Sequence, residues 1–283
     1  MSLRFLEKSH QYRMTAHPGP ATKGPTSANP ELRVTGATTI ISGGIPKPQL
    51  MPWYARMTAE FVRDNPLEVE RLRNLEDDPD GLMFVKELAK APERVRDAAA
   101  ERGSEVHDYA EALMHGQVVD VPEDLRPYVE GYLRLIDEWE IEPILTETSI
   151  GNRQDWYAGR FDCLGRIGKL GGMVAMLDWK TSRGVYGETG LQTAGYSKAE
   201  FYVTDDQPEI EIPLPEIEAT FVVHIKPGES DIYRLAANPA EIDRHFELFR
   251  AAAFTHKTAK EREAIITEPL TLDTLTARTL KVA

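Results

Sequence analysis

The chain has 283 residues, of which 41% are hydrophobic and 28% charged, with a formal net charge of −13. That length holds one large α/β domain, or a core domain with a helical attachment, and the absence of any apolar run of spanning length excludes a membrane helix. The acidic balance argues against indiscriminate coating of nucleic acid, although a local basic channel stays open because binding depends on where the charge sits.

In chain order, residues 5–14 and 32–39 read as two short strands. Between them, residues 15–30 are rich in Pro, Gly, Ala and Ser and read as a loop. After Pro46-Lys47-Pro48, residues 50–64 have helical spacing (Met51, Tyr54, Met57, Phe61), and residues 67–75 and 81–90 give shorter helical segments. Residues 92–115 form an amphipathic helix with the stripe Val95, Ala99, Val106, Ala110 and Leu113. Residues 122–140 form another. Residues 144–150, 157–167 and 173–179 are strands, the last two joined by the glycine-rich turn at 168–172. Residues 187–202 read as a helix, 219–226 and 231–235 as strands around Pro227-Gly228, and 239–258 as a helix. The tail after Lys260 has weak periodicity. This order predicts an α/β sandwich with a mixed central sheet. It divides into an N-terminal hairpin and helical region (1–90), a core (91–260) and a tail (261–283).

The stretch from Ala158 to Thr181 carries the chemistry. A strand has a side-chain period of two, so Asp178 and Lys180 share one face while Leu177 and Trp179 point the other way into packing. A hairpin around the glycines brings Asp162 beside Asp178. Two adjacent carboxylates repel and are costly to desolvate unless a cation sits between them. Oxygen ligands of this kind suit Mg²⁺ or Mn²⁺. A lysine two residues on is placed to orient a water or stabilise negative charge developing on a phosphate. By itself a D-x-K triplet also describes a surface hairpin with a solvated ion pair.

Four segments in order add to this: Arg102-Gly103-Ser104-Glu105-Val106-His107, Gly159-Arg160-Phe161-Asp162, Leu177-Asp178-Trp179-Lys180-Thr181 and Gln192-Thr193-Ala194-Gly195-Tyr196. Together they resemble the RecB-like exonuclease branch of the PD-(D/E)XK nuclease superfamily, which includes phage exonucleases, CRISPR-associated RecB-like exonucleases and the mitochondrial genome-maintenance exonuclease. The stretch from Thr38 through Trp53 is similar to the N-terminal part of phage members. The resemblance implies a restriction-endonuclease-like core. It implies a metal shell of His107, Asp162, Asp178 and the Trp179 carbonyl, with Asp162, Asp178 and Lys180 as the catalytic set. It implies that Gln192 and Tyr196, one helical turn apart, line the site and contact the nucleic-acid backbone. From the residues alone, Glu147 on the first strand is either a site residue or a solvated strand position. Arg102 and Arg160 are candidates to line the DNA path, and Thr181 is a candidate to hold a phosphate or a water. Ser182 is a further candidate for a phosphate or a water.

The function so implied is a metal-dependent deoxyribonuclease, expected to be an exonuclease acting on DNA ends in recombination or repair, with a recombination protein as a possible partner. Arg94, Arg96, Arg102, Arg153, Arg160 and Arg183 are the cations expected along a DNA path. The alternatives are a non-catalytic DNA-end-binding protein of the same fold and an acidic interaction protein whose D-x-K is accidental. The one cysteine, Cys163, excludes an internal disulfide and an iron–sulfur cluster. The N-terminus lacks the apolar segment of a secretory leader, so a cytoplasmic protein in a bacterial or phage-infected cell is expected.

Overall fold

The computed structural model describes residues 2–6, 9, 11–15, 31–267 and 269. Most of the expected 15–30 loop, and the tail from residue 270, lie outside the described residues. The first strand pair is β1 (Leu3–Leu6) and β2 (Gln11–Thr15), an antiparallel hairpin where the sequence pattern predicts one strand. β2 pairs antiparallel with β3 (Glu31–Gly36). The strand expected to reach residue 39 stops at Gly36, and Ala37 begins helix α1 (Ala37–Gly44). Its run of Thr and Ile favours a strand locally. Tertiary packing overrides that preference, because Ile40 and Ile41 are buried with Ala252 and Ala253 of a later helix.

Helices α2 (Leu50–Asp64), α3 (Pro66–Arg73) and α4 (Leu82–Ala89) follow, then the long α5 (Ala91–Met114) and α6 (Arg126–Trp139). The apolar faces of α5 and α6 meet the sheet through Val106, Ala110, Val129 and Tyr132. Burying a side chain of the size of Val106 or Val129 contributes roughly 1.5–3 kcal/mol, and the Ala110 methyl about 0.8 kcal/mol. By contrast, α2 has no fully buried residue and rests on α5 and α4 as an outer layer.

β4 (Ile141–Asn152) and β5 (Tyr157–Ile167) then pair antiparallel along nearly their full length. β6 (Met173–Lys180) returns along the other edge of β5, from Ile167 opposite Met173 to Cys163 opposite Leu177. Gly171 and Gly172 close that hairpin with φ of +74° and +79°, a conformation glycine adopts without steric cost. Helix α7 (Glu188–Ser197) ends five residues earlier than its sequence pattern predicts. Phe201 begins a hairpin of β7 (Phe201–Thr204) and β8 (Gln207–Ile212), with β7 added to β4. β9 (Ala219–Lys226) lies parallel to β6, β10 (Glu229–Ala236) returns antiparallel, and α8 (Pro239–Lys257) and α9 (Ala259–Glu263) follow.

The result is a mixed α/β fold with one large sheet between two helical layers. α5 and α6 cover one face; α1, α7 and α8 cover the other. The strands and α1 of the 1–90 region belong to this sheet and its cover, whereas α2–α4 stack outside α5. No described helix is long and apolar enough to cross a membrane.

One edge of β5 is shared. β4 takes the opposite edge throughout, so β3, pairing at Tyr157 and Ala158, and β6, pairing from Cys163 on, both occupy this one. Residues 159–162 lie in the gap, where β6 parts from β5.

Candidate metal and nuclease site at the parted strands

Asp162 and Asp178 stand one step beyond the last paired rung, Cys163 opposite Leu177. At that point the Asp162 carboxylate accepts the Trp179 N–H at 2.6 Å, so a side chain replaces the backbone partner where the ladder ends. The local backbone is irregular. Phe161 packs with the α7–α8 layer while Cys163, two residues on, packs with the α5–α6 layer. A regular strand would put both on one face. Across the ladder, between Thr146 and Thr148, Glu147 has φ of +42°. A non-glycine residue in that region costs about 1–3 kcal/mol, and such strain concentrates at functional positions.

The irregularity turns Asp162 and Glu147 toward α5. There His107 joins them, and one ligand atom from each of the three lies within 4.8 Å of the others. Glu147 also accepts from Arg160 Nε at 3.0 Å. One turn beyond His107, Glu111 adds negative charge felt at Asp162, Glu147 and His107. Sequence reasoning missed Glu111; its spacing of four from His107 on one helix face was the available signal.

Asp178 takes a different set of partners. Leu177 and Trp179 pack toward α5 and α6, with the Trp179 ring edge-on to Tyr132 at 5.3 Å. Asp178 and Lys180 therefore face the α7 side. Lys180 Nζ lies 2.5 Å from Asp178 Oδ2, and Gln192 Nε2 donates to Asp178 Oδ1 at 2.7 Å. Gln192 is also 3.2 Å from the Tyr196 hydroxyl, so the expected pair on α7 does share a face. Asp178 is thus outside the compact group of His107, Glu147 and Asp162. It remains close enough that the charges of Asp162 and His107 act on it.

Two glycines set the approach of the elements. A Cβ on Gly103 would stand 2.7 Å from the Thr181 hydroxyl, so the missing side chain lets the end of β6 come against α5. A Cβ on Gly159 would stand 2.5 Å from the Tyr196 ring.

Crowding and burial perturb Glu147, Asp162, Asp178, His107 and Lys180. Burial raises Glu147 to about 7, with Asp162 adding to the rise and Arg160 opposing it. Burial likewise raises Asp162 and Asp178, against the pull of Lys180 on both. Burial lowers His107, and Lys180 lowers it further against the acidic groups Asp178, Asp108 and Glu111, a direction that favours the neutral ring whose lone pair can bind a cation. Burial would lower Lys180, but Asp178 and Asp162 together hold it above the ordinary lysine range. These directions describe a site short of positive charge. One imidazole and several carboxylate oxygens form a donor set that fits Mg²⁺ or Mn²⁺.

The expected arginines are dispersed. Arg96 and Arg183 line a cavity of about 1170 Å³ beside the site, together with His107 and Lys180. Arg160 is held by Glu147 and Asp205. Arg153 pins the N-terminus through Ser2, Thr15 and Glu211, and lies over the Phe201 ring. Arg94 packs over Phe61 beside Glu87, and Arg102 stands exposed on α5. Thr181 and Ser182 line the same cavity, and the Ser182 carbonyl accepts from His224 Nε2 at 2.7 Å.

Neither protein-family models nor curated proteins give a match to this chain.

Proposed function

We propose that the chain is a metal-dependent deoxyribonuclease with a restriction-endonuclease-like core of the RecB-like kind, acting as an exonuclease. The observation that carries this reading is the meeting of two groups at the parted strands. His107, Glu147 and Asp162 offer ligand atoms within 4.8 Å of one another, and the Asp178–Lys180 pair stands beside them. A strained backbone and buried carboxylates at one point cost stability, and a fold retains them where chemistry needs them.

His107, Glu147 and Asp162 would hold Mg²⁺ or Mn²⁺, with Asp178 adjoining. When bound, the ion supplies Lewis-acid charge at the scissile phosphate and lowers the pKa of a water. Lys180, kept protonated by its acidic neighbours, aims an ammonium group at negative charge developing on the phosphate. Gln192 fixes the Asp178 carboxylate and, through Tyr196, ties it to the packed helix layer. The Trp179 N–H fixes Asp162 in the same way.

The test is digestion of end-labelled linear DNA with Mn²⁺, with and without chelator, by the wild type and by Asp162→Asn. The expected outcome is metal-dependent release of label by the wild type alone. DNA bound but uncut at every metal concentration would replace the enzyme with the non-catalytic end-binding reading.

A further inference from the structure

Beside Lys180 the molecule has two hollows rather than one. The larger, about 1170 Å³, lies between α2, α5 and the loop after β6; the smaller, about 390 Å³, lies between α1, α7 and the same loop. Both are lined by Gln49, Leu50, Lys180, Ser182 and Tyr186, so they form one groove with Lys180 at its waist. The charge of the larger hollow is unlike that of the whole chain. The sequence carries 46 acidic residues against 33 basic ones. Yet, among the described residues, the lining includes Arg56, Arg96, Arg183 and Lys180 and no Asp or Glu. Arg56 and Arg96 have acidic neighbours at the rim, Glu60 and Asp97.

The apolar part of that lining is aromatic. Trp53 and Tyr54 meet edge to face at 5.2 Å on α2, and Tyr186 is 58% exposed across the loop. Flat aromatic faces set among guanidinium groups match a strand of unpaired bases on a phosphate backbone. They do not match a duplex, whose base faces are already stacked on one another.

We propose that this groove is a single-strand DNA path. Bases stack on Trp53, Tyr54 and Tyr186 in the larger hollow, and Arg56, Arg96 and Arg183 take the backbone phosphates. The scissile phosphate lies at Lys180, and the nucleotide beyond it occupies the smaller hollow near Lys47, Thr38 and Thr189. This rests on the nuclease reading for the role of Lys180, whereas the stacking surface is a matter of binding and can be measured without cleavage.

The experiment is fluorescence polarisation with a labelled twelve-residue oligothymidylate and with a blunt hairpin duplex, in Ca²⁺ so that neither is consumed. Expected is at least tenfold tighter binding of the single strand. Tyr186→Ala, at a position 58% exposed, weakens it about tenfold, the size of one lost base stack. Trp53→Ala does the same, and Trp53→Phe restores most of it. Equal affinity for the duplex, or an unchanged Kd in Tyr186→Ala, overturns the proposal. Mn²⁺-dependent cutting by the wild type, followed separately, bears on the nuclease reading and not on this one.

Discussion

The two ends of the β5–β6 hairpin are made from the same pair of strands and behave as opposites. At the closed end, residues 163–167 pair rung by rung with 173–177. Cys163, Leu164, Ile167, Ala175, Met176 and Leu177 are fully buried there, and Met173 and Val174 are partly buried. Arg166 alone of the paired residues is exposed, and two glycines complete the turn. At the open end the strands part, β3 takes the vacated edge of β5, and Asp162, Asp178 and Lys180 gather with Glu147 and His107. Satisfied backbone and apolar packing stabilise the first end. The second end holds desolvated carboxylates and a left-handed glutamate, each of which opposes folding. The closed end supplies the rigidity that lets the open end stay assembled.

The comparison breaks most plainly if a core residue at the closed end proves dispensable. Ile167 is fully buried there, opposite Met173 and Ile141. Ile167→Ala removes packed methyl groups and leaves a cavity, so denaturant unfolding should show a loss of about 2–5 kcal/mol. The turnover of the protein that stays folded should be unchanged. At the open end the order reverses. Lys180→Ala should slow Mn²⁺-dependent digestion about 10²–10³-fold, corresponding to about 2.7–4 kcal/mol of transition-state stabilisation. The Mn²⁺-induced rise in melting temperature should survive, since His107, Glu147 and Asp162 remain. A Lys180→Ala protein that cuts at the wild-type rate would remove the lysine from the chemistry.

The same contrast explains what could be read from the sequence. The closed end was legible because a period of two, an apolar run and a glycine pair are local signals. Asp178 and Lys180 on one face, and Leu177 and Trp179 on the other, follow from that period alone. The open end was legible in residue type but less in grouping. His107, Asp162 and Asp178 were expected to hold one or two ions; in the structure Asp162 groups with His107 and Glu147, while Gln192 and Lys180 hold Asp178 beside them. The irregularity at Asp162 lies across the ladder from the positive φ of Glu147, which no composition signal announces. Helix α1 and the β7–β8 hairpin were missed for different reasons. The local propensity of α1 is overruled by burial against α8. Phe201–Thr204, by contrast, is made of strand-favouring residues whose start was absorbed into the helical pattern before it, although it pairs with β4. Trp53, Tyr54 and Tyr186 converge only once α2 is laid against α5.

Glu147 sharpens the comparison next. Its carboxyl is raised from an ordinary 4.5 to about 7, chiefly by burial. Between those values the folded chain holds a proton that the unfolded chain has released. Stability without metal should therefore fall as pH rises from about 4.5 through 7, and the full penalty should persist above 7. Glu147→Gln removes the titration. At pH 8 in chelator it should stabilise the chain by about 1–3 kcal/mol, after allowance for the lost Arg160 ion pair. It should also shrink the Mn²⁺-induced rise in melting temperature. A variant that is less stable than the wild type in chelator would mean that Glu147 is held for structure rather than for a cation.

The smallest effect is expected at the glycine turn of the closed end. Gly171 has φ of +74°, and a Cβ built there meets no atom within 4 Å. The cost of Gly171→Ala is then purely conformational: a left-handed L-residue with nothing to push against, about 1 kcal/mol. For a chain of this size that lowers the melting temperature by about 2 °C. Gly171→Asn should recover part of the loss, because asparagine tolerates the left-handed region better than alanine. Neither change should alter cutting, since the turn lies at the opposite end of β6 from Lys180. If Gly171→Ala did slow cutting, strain would be travelling the length of the paired strands, and the two ends could no longer be treated as separate.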